Sequence, residues 1–206
     1  MGTQASDRGR TARVRVPGRS RARWLRWSLL PLGLLLAFFL WDFSVQKNFE
    51  EVAPGKLYRS GQPSESQLQD WIRKYGLKSV VSLRHSIPGY EKELAARNGV
   101  RLYQYTFSAR TGITDSQWEE ILGILTDEGN QPVLVHCQSG VDRTGVVVAL
   151  YRVEVQGWPV DRALREMILN YHIPFQYPAL QEYLHRRHPE SGVAGTAAET
   201  PALPAN

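Results

Sequence analysis

The chain has 206 residues, 42 % of them hydrophobic and 10 % aromatic, which suits one domain with its own core plus accessory segments. Its formal charge of +5 is unevenly placed: residues 1–26 hold eight arginines against one acid, Asp7, leaving 17 of the 25 basic and 19 of the 20 acidic residues to the rest. A slightly acidic domain behind a basic tail argues against a nucleic-acid partner, and a single cysteine, Cys137, excludes an intrachain disulfide.

Behind the basic tail, Trp27 to Trp41 reads WSLLPLGLLLAFFLW without a charge, and FSV follows Asp42. The stretch is short against the roughly 20 apolar residues of a usual membrane helix. Trp24, Trp27 and Trp41 suit an interfacial aromatic belt, and Pro31 and Gly33 are tolerated in such a helix. The residues after the apolar core, WDFSVQKNFEE, contain no small-residue cleavage site. We therefore expect an uncleaved signal anchor over 27–45. Eight arginines before it set a cytoplasmic tail at 1–26. The expected location is the inner membrane, single-pass, with a domain over 48–188 outside the cytoplasm.

Residues 54–63 (PGKLYRSGQP) read as a loop and short strand. Ser64 caps a helix whose Leu68, Trp71, Ile72 and Tyr75 fall at helical spacing, and Gly76 stops it. KSVVSLR (78–84) is a buried strand by its β-branched run. A short helix over 90–98 ends at Gly99, and VRLYQYTF (100–107) is the next strand. Thr114 with Gln117 forms a capping-box pattern for a helix to about Asp127. Pro132 opens the strand VLVHC, followed by helices from Thr144 to about Gln156, from Pro159 to Tyr171 and from Pro178 to Arg187. Residues 189–206 lack periodicity and read as a disordered tail. Strands alternating with helices imply an α/β fold with a largely parallel central sheet.

The informative stretch is His136-Cys137-Gln138-Ser139-Gly140-Val141-Asp142-Arg143-Thr144-Gly145, between a buried strand and a helix. Ligands bind at the carboxyl ends of strands in such sheets. Loop N–H groups and a helix N-terminus form an anion nest there, which also favours a thiolate nucleophile at Cys137. Gly140 permits backbone geometry that a Cβ hinders. Arg143 offers a planar fork for two phosphate oxygens, which lysine does not. Thr144 is placed to hydrogen-bond the sulfur. An isolated cysteine is more often a small buried hydrophobe, and only this context lifts it above that.

The pattern H-C-x5-R-T-G over 136–145 resembles the signature loop of the cysteine-dependent protein tyrosine and dual-specificity phosphatases. Leu57-Tyr58-Arg59-Ser60-Gly61-Gln62-Pro63 and Val80-Val81-Ser82-Leu83-Arg84 resemble the start of the small, atypical dual-specificity branch. The resemblance implies a dual-specificity-phosphatase-like fold, attack by Cys137 on phosphorus, and a phosphoryl group held by Arg143 and the loop residues Gln138, Ser139, Gly140, Val141 and Asp142. It implies no metal and no cofactor. His136 is expected to orient the loop, with Arg59, Arg84 and Arg110 as candidates to border the pocket. The general acid is expected at Asp115, the one acid in SARTGITD; Asp142 is the rival, by resemblance to the myotubularin lipid phosphatases. A carboxylate at Asp115 also suits a helix first turn. His185 and His188 on the last helix have no carboxylate or cysteine arranged with them in the sequence, which disfavours a metal site.

The expected substrates are phosphotyrosine and phosphoserine or phosphothreonine proteins. Phospholipid headgroups are the alternative, since some bacterial phosphatidylglycerophosphate phosphatases resemble the chain around the loop. None of Gln138, Ser139, Val141 and Asp142 is basic, which disfavours inositol polyphosphates. The competing non-enzyme class is an anchored phosphate-binding pseudophosphatase, a class that typically lacks the cysteine or arginine present here.

Overall fold

The computed structural model describes residues 48–189, together with Pro31 and Gly33. The tail at 1–26, nearly all of the expected anchor at 27–45 and nearly all of the 189–206 tail lie outside the described residues. Among the described residues, no helix is long and apolar enough to cross a membrane.

Five strands form one sheet in the order β1-β2-β5-β3-β4. They are β1 (Glu50–Ala53), β2 (Leu57–Ser60), β3 (Ser79–Ser82), β4 (Arg101–Gln104) and β5 (Val133–His136). β5 runs parallel to β2 and β3, β3 runs parallel to β4, and only β1 pairs antiparallel, on the edge. The α/β fold with a largely parallel sheet is therefore as expected. The helices are α1 (Glu65–Tyr75), α2 (Gly89–Asn98), α3 (Asp115–Thr126), α4 (Asp142–Glu154), α5 (Val160–Leu169) and α6 (Pro178–Arg187).

Side chains of a strand alternate between faces, and the core divides accordingly. Tyr58, Val80 and Leu134 join Leu68, Ile72 and Leu94 of α1 and α2 in one apolar cluster. Leu57, Val81, Val133 and Val135 join Trp118, Ile121, Val146, Leu150 and Leu180 in the larger one. Because β5 is covered on both faces, it reads as a continuous apolar run. α4 is the central helix, with every residue from Thr144 to Arg152 buried. Both expected capping boxes form, Ser64 with Gln67 and Thr114 with Gln117.

Boundaries differ from expectation in several places, and the strand expected over 78–84 pairs only over Ser79–Ser82. The strand expected over 100–107 pairs only to Gln104, because β3 stops at Ser82 opposite it. The helix expected from Thr144 begins at Asp142, with Gly145 N–H already donating to Val141 O at 2.8 Å. The helix expected to reach Tyr171 ends at Leu169, and Tyr171 takes φ 70°, a left-handed value that ends the helix.

Candidate active site

β5 delivers the loop that follows it to the carboxyl end of the sheet, between β2 and β3. Cys137 begins the loop and is 2 % exposed. The chain turns back at once, so that Gly140 N–H donates to Cys137 Sγ at 3.3 Å. The turn requires glycine on two counts. Gly140 has φ 75°, and a Cβ there would lie 2.5 Å from Gly61 N and 2.6 Å from Ser60 C. Gln62 N–H donates to Gln138 O at 3.1 Å, tying the start of the loop to the end of β2.

Arg59 does not border the pocket. It lies on β2, fully buried, and its Nη2 donates to Gly140 O at 2.7 Å, supporting the loop from behind. Burial draws its guanidinium below the ordinary arginine range, opposed by Glu50 at 4.0 Å. Among the described residues, the Nε and Nη1 of Arg59 have no hydrogen-bond acceptor. Asn48, held at φ 55°, donates its side-chain amide to the same Gly140 carbonyl at 3.1 Å.

His136 is buried, and its Nε2 lies 2.8 Å from Oε1 of Glu91, itself fully buried in the first turn of α2. Burial pushes the Glu91 carboxyl up, but His136, Gln62 and Arg84 together outweigh it and hold the group below its ordinary value. Gln62 Nε2 donates to Glu91 Oε2 at 2.8 Å, and Arg84 Nη1 donates to Gln62 Oε1 at 2.6 Å. Arg84 thus belongs to a chain Arg84–Gln62–Glu91–His136 that ends beside Cys137. His136 Nδ1 also lies 3.4 Å from Cys137 O, so the ring links that chain of contacts to the first residue of the loop.

Arg143 stands in the first turn of α4, half-buried, with Nη1 donating to Leu83 O at 2.6 Å. That bond anchors one nitrogen on the end of β3 and leaves the rest of the fork for a ligand. Thr144 is fully buried and its Oγ1 has no partner. Gln138 is exposed, Ser139 half-buried and Val141 buried. Asp142 Oδ1 lies 2.8 Å from Nδ1 of His172, a buried residue in the turn between α5 and α6.

Asp115 has different neighbours. It opens α3, and its carboxylate accepts from Tyr183 OH at 2.8 Å and from Arg187 Nη1 at 3.5 Å, both on α6. Burial, followed by this hydrogen bond, raises the Tyr183 phenol far above its ordinary range. Arg110 is exposed, with its N–H on Ser108 Oγ at 3.1 Å. His188 Nε2 lies 3.0 Å from Glu154 Oε1.

Sequence reasoning found the loop and missed Glu91, Gln62, Asn48 and His172. All four lie far from the loop in sequence, and only Gln62 falls in a stretch with family resemblance, Leu57–Pro63, where no role is read for it. The sole hint was an acid in the predicted first turn of the 90–98 helix.

A thiol after the central strand of a parallel sheet, receiving a backbone N–H and followed by an arginine in the first helical turn, defines the class of cysteine-dependent phosphatases. The comparisons with known proteins agree. The chain belongs to the tyrosine phosphatase family, whose model matches residues 45–183.

Inositol diphosphatase DSP4 of Arabidopsis thaliana is 34 % identical over 116 residues, covering 54 % of the chain and 57 % of that protein. Dual specificity protein phosphatase TpbA of Pseudomonas aeruginosa is 34 % identical over 115 residues, covering 54 % and 49 %. The chain spans about half the length of the curated relatives it matches. The crystal structure of P. aeruginosa TpbA superposes with a TM-score of 0.59 at 27 % identity, over 68 % of the chain and 85 % of TpbA. The Siw14 catalytic core shares the fold, with a TM-score of 0.61 at 24 % identity over 68 % and 83 %.

Proposed function

We propose that the chain hydrolyses phosphomonoesters through a phosphocysteine intermediate. The observation that carries this is Cys137 Sγ held under Gly140 N–H while Arg143 keeps a free fork at the same loop. Sγ attacks phosphorus as the ester P–O bond breaks, and the leaving oxygen takes a proton. Water then attacks phosphorus, the S–P bond breaks, and a proton returns to the acid. Loop amides and Arg143 bear the charge of the transferring group. The proton donor is Asp142, which stands in the signature loop itself, in place of the expected Asp115, whose carboxylate is engaged with Tyr183 and Arg187 on α6. The substrate class is phosphotyrosine, phosphoserine and phosphothreonine proteins, the reading closest to the name of TpbA. Against an inositol polyphosphate stands the absence of any cation at Gln138, Ser139, Val141 and Asp142. A second reading, removal of a phosphate from a phospholipid headgroup, draws on the exposed apolar run at 168–175. Residues 27–45 form a single-pass anchor with the domain outside the cytoplasm.

The test is phosphate release from nitrophenyl phosphate, then from a panel of phosphopeptides, phosphatidylglycerophosphate and an inositol pyrophosphate. Cys137→Ser should abolish turnover and still bind phosphate esters. Substantial turnover by the purified variant would overturn the nucleophile assignment, and preference for the inositol compound would overturn the substrate class.

A further inference from the structure

The large hydrophobic side chains exposed among the described residues are Val155, Ile168, Leu169, Tyr171, Ile173 and Phe175. Five of the six fall within eight consecutive residues. Leu169 is 81 % exposed and Phe175 88 %, and outside this run only Val155 is exposed among the large apolar groups of the described residues. From Met167 to Gln181 the chain has no Asp, Glu, Lys or Arg. Contiguous exposed apolar surface of this kind marks an interaction site.

His172 lies inside this run and is buried against Asp142 of the signature loop, so the apolar rim borders the site. A rim rich in Leu, Ile, Tyr and Phe and free of formal charge has the composition of the interfacial zone of a bilayer. Arg165 is exposed and shares a helical face with Ile168 and Leu169, three and four residues on, where a cation meets lipid phosphates. The other border of the loop is equally suited. Asn48 is bonded to Gly140 O. On the anchor reading above, it follows the end of the membrane segment at residue 45 by three residues, a tether of at most about 11 Å.

We infer that residues 168–175 dock into the lipid interface, so that the signature loop opens beside the bilayer and acts on phosphomonoesters held at its surface. The inference rests on the anchor reading above, and its test reports the two separately. In full-length protein carrying Cys137→Ser, a single cysteine is placed by Phe175→Cys and labelled with an environment-sensitive fluorophore. A second protein carries the label at Lys92→Cys, an exposed position of α2 on the opposite side of the sheet. Both are reconstituted into vesicles of phosphatidylethanolamine and phosphatidylglycerol. Flotation with the vesicles reports the anchor.

The expected result is a blue shift of the label at 175, with emission lost when the lipids are brominated, and neither change at 92. Leu169→Ser with Phe175→Ser should leave nitrophenyl phosphate turnover intact and lower turnover of a lipid-anchored phosphotyrosine peptide in vesicles. A water-like spectrum at 175 in floated protein overturns the docking and leaves the anchor standing. Failure to float overturns both. A blue shift that appears without lipid and grows with protein concentration assigns the surface to a second copy of the chain, and also overturns the inference. Loss of nitrophenyl phosphate turnover in wild-type protein would instead strike the catalytic reading.

Discussion

Nδ1 of His172 stands 2.8 Å from Oδ1 of Asp142, joining the turn after α5 to the first turn of α4. Gln181 Nε2 faces His172 Nε2 at 3.4 Å and donates to Pro174 O at 3.1 Å. An amide nitrogen on Nε2 leaves the ring proton on Nδ1, where it is donated to Asp142. On the proposed assignment of the acid, His172 is a positioning residue that holds the Asp142 carboxylate through Nδ1.

Asp142→Asn should slow alkyl phosphates by about 10²–10⁴-fold and nitrophenyl phosphate far less, since only the poor leaving group needs the proton. His172→Phe should show the same leaving-group dependence, weaker in size. His172→Asn, which keeps a donor near the Nδ1 position, should restore much of it. Steady-state kcat on the two esters checks this. Equal losses on both esters for Asp142→Asn would remove it as the acid.

Asp115→Ala should act on stability. Tyr183 OH and Arg187 lose an acceptor, at a cost of about 1 kcal/mol, read by urea denaturation. Its kinetics should lack leaving-group dependence. If alkyl phosphates slow selectively in this variant, the proton donor is Asp115 after all.

Gly140→Ala should destroy the site. Its Cβ would meet backbone at 2.5 Å, which no side-chain movement relieves, and its φ of 75° is strained for alanine. We expect turnover below detection and a lower Tm. Arg59→Met should cost roughly 2–3 kcal/mol, because Gly140 O loses its buried charged donor. Near-normal stability of Arg59→Met would mean that Asn48 alone holds the carbonyl.

Glu91 predicts an acid limit to stability. Its folded value lies below the ordinary 4.5, so the unfolded chain binds its proton first as pH falls. The stabilisation is therefore complete above 4.5 and declines below it, through the folded value. Thermal denaturation between neutral pH and pH 3 should show this decline, and Glu91→Gln should flatten it. An unchanged slope in the variant would assign the acid sensitivity to other carboxylates.

Much of the site was legible because its chemistry is contiguous: ten residues carry nucleophile, turn glycine, arginine and threonine in one loop. Capping residues made α1 and α3 legible for the same reason. The support was not. Glu91 lies 45 residues from His136 and Arg59 lies 81 from Gly140, and each pairing exists only once the sheet has formed. Arg59 shows the cost of reading charge by type: an arginine near a phosphate loop suggests a ligand, yet the buried strand position turns it inward. β1 was missed because an edge strand of four residues, EEVA, pairs on one side only and carries no alternating pattern. Asp115 finds its neighbours on α6, a packing that nothing local in the sequence announces.

Cys137 is the sole sulfhydryl in the sequence. The molecule is thus its own stoichiometric gauge: each equivalent of alkylating reagent consumed counts one reaction centre, and an oxyanion seated in the loop should slow the count. With no second thiol in the chain, oxidation of this atom ends in a mixed disulfide with an outside thiol or climbs to oxygen acids. Recovery then depends on a reductant supplied from outside the protein.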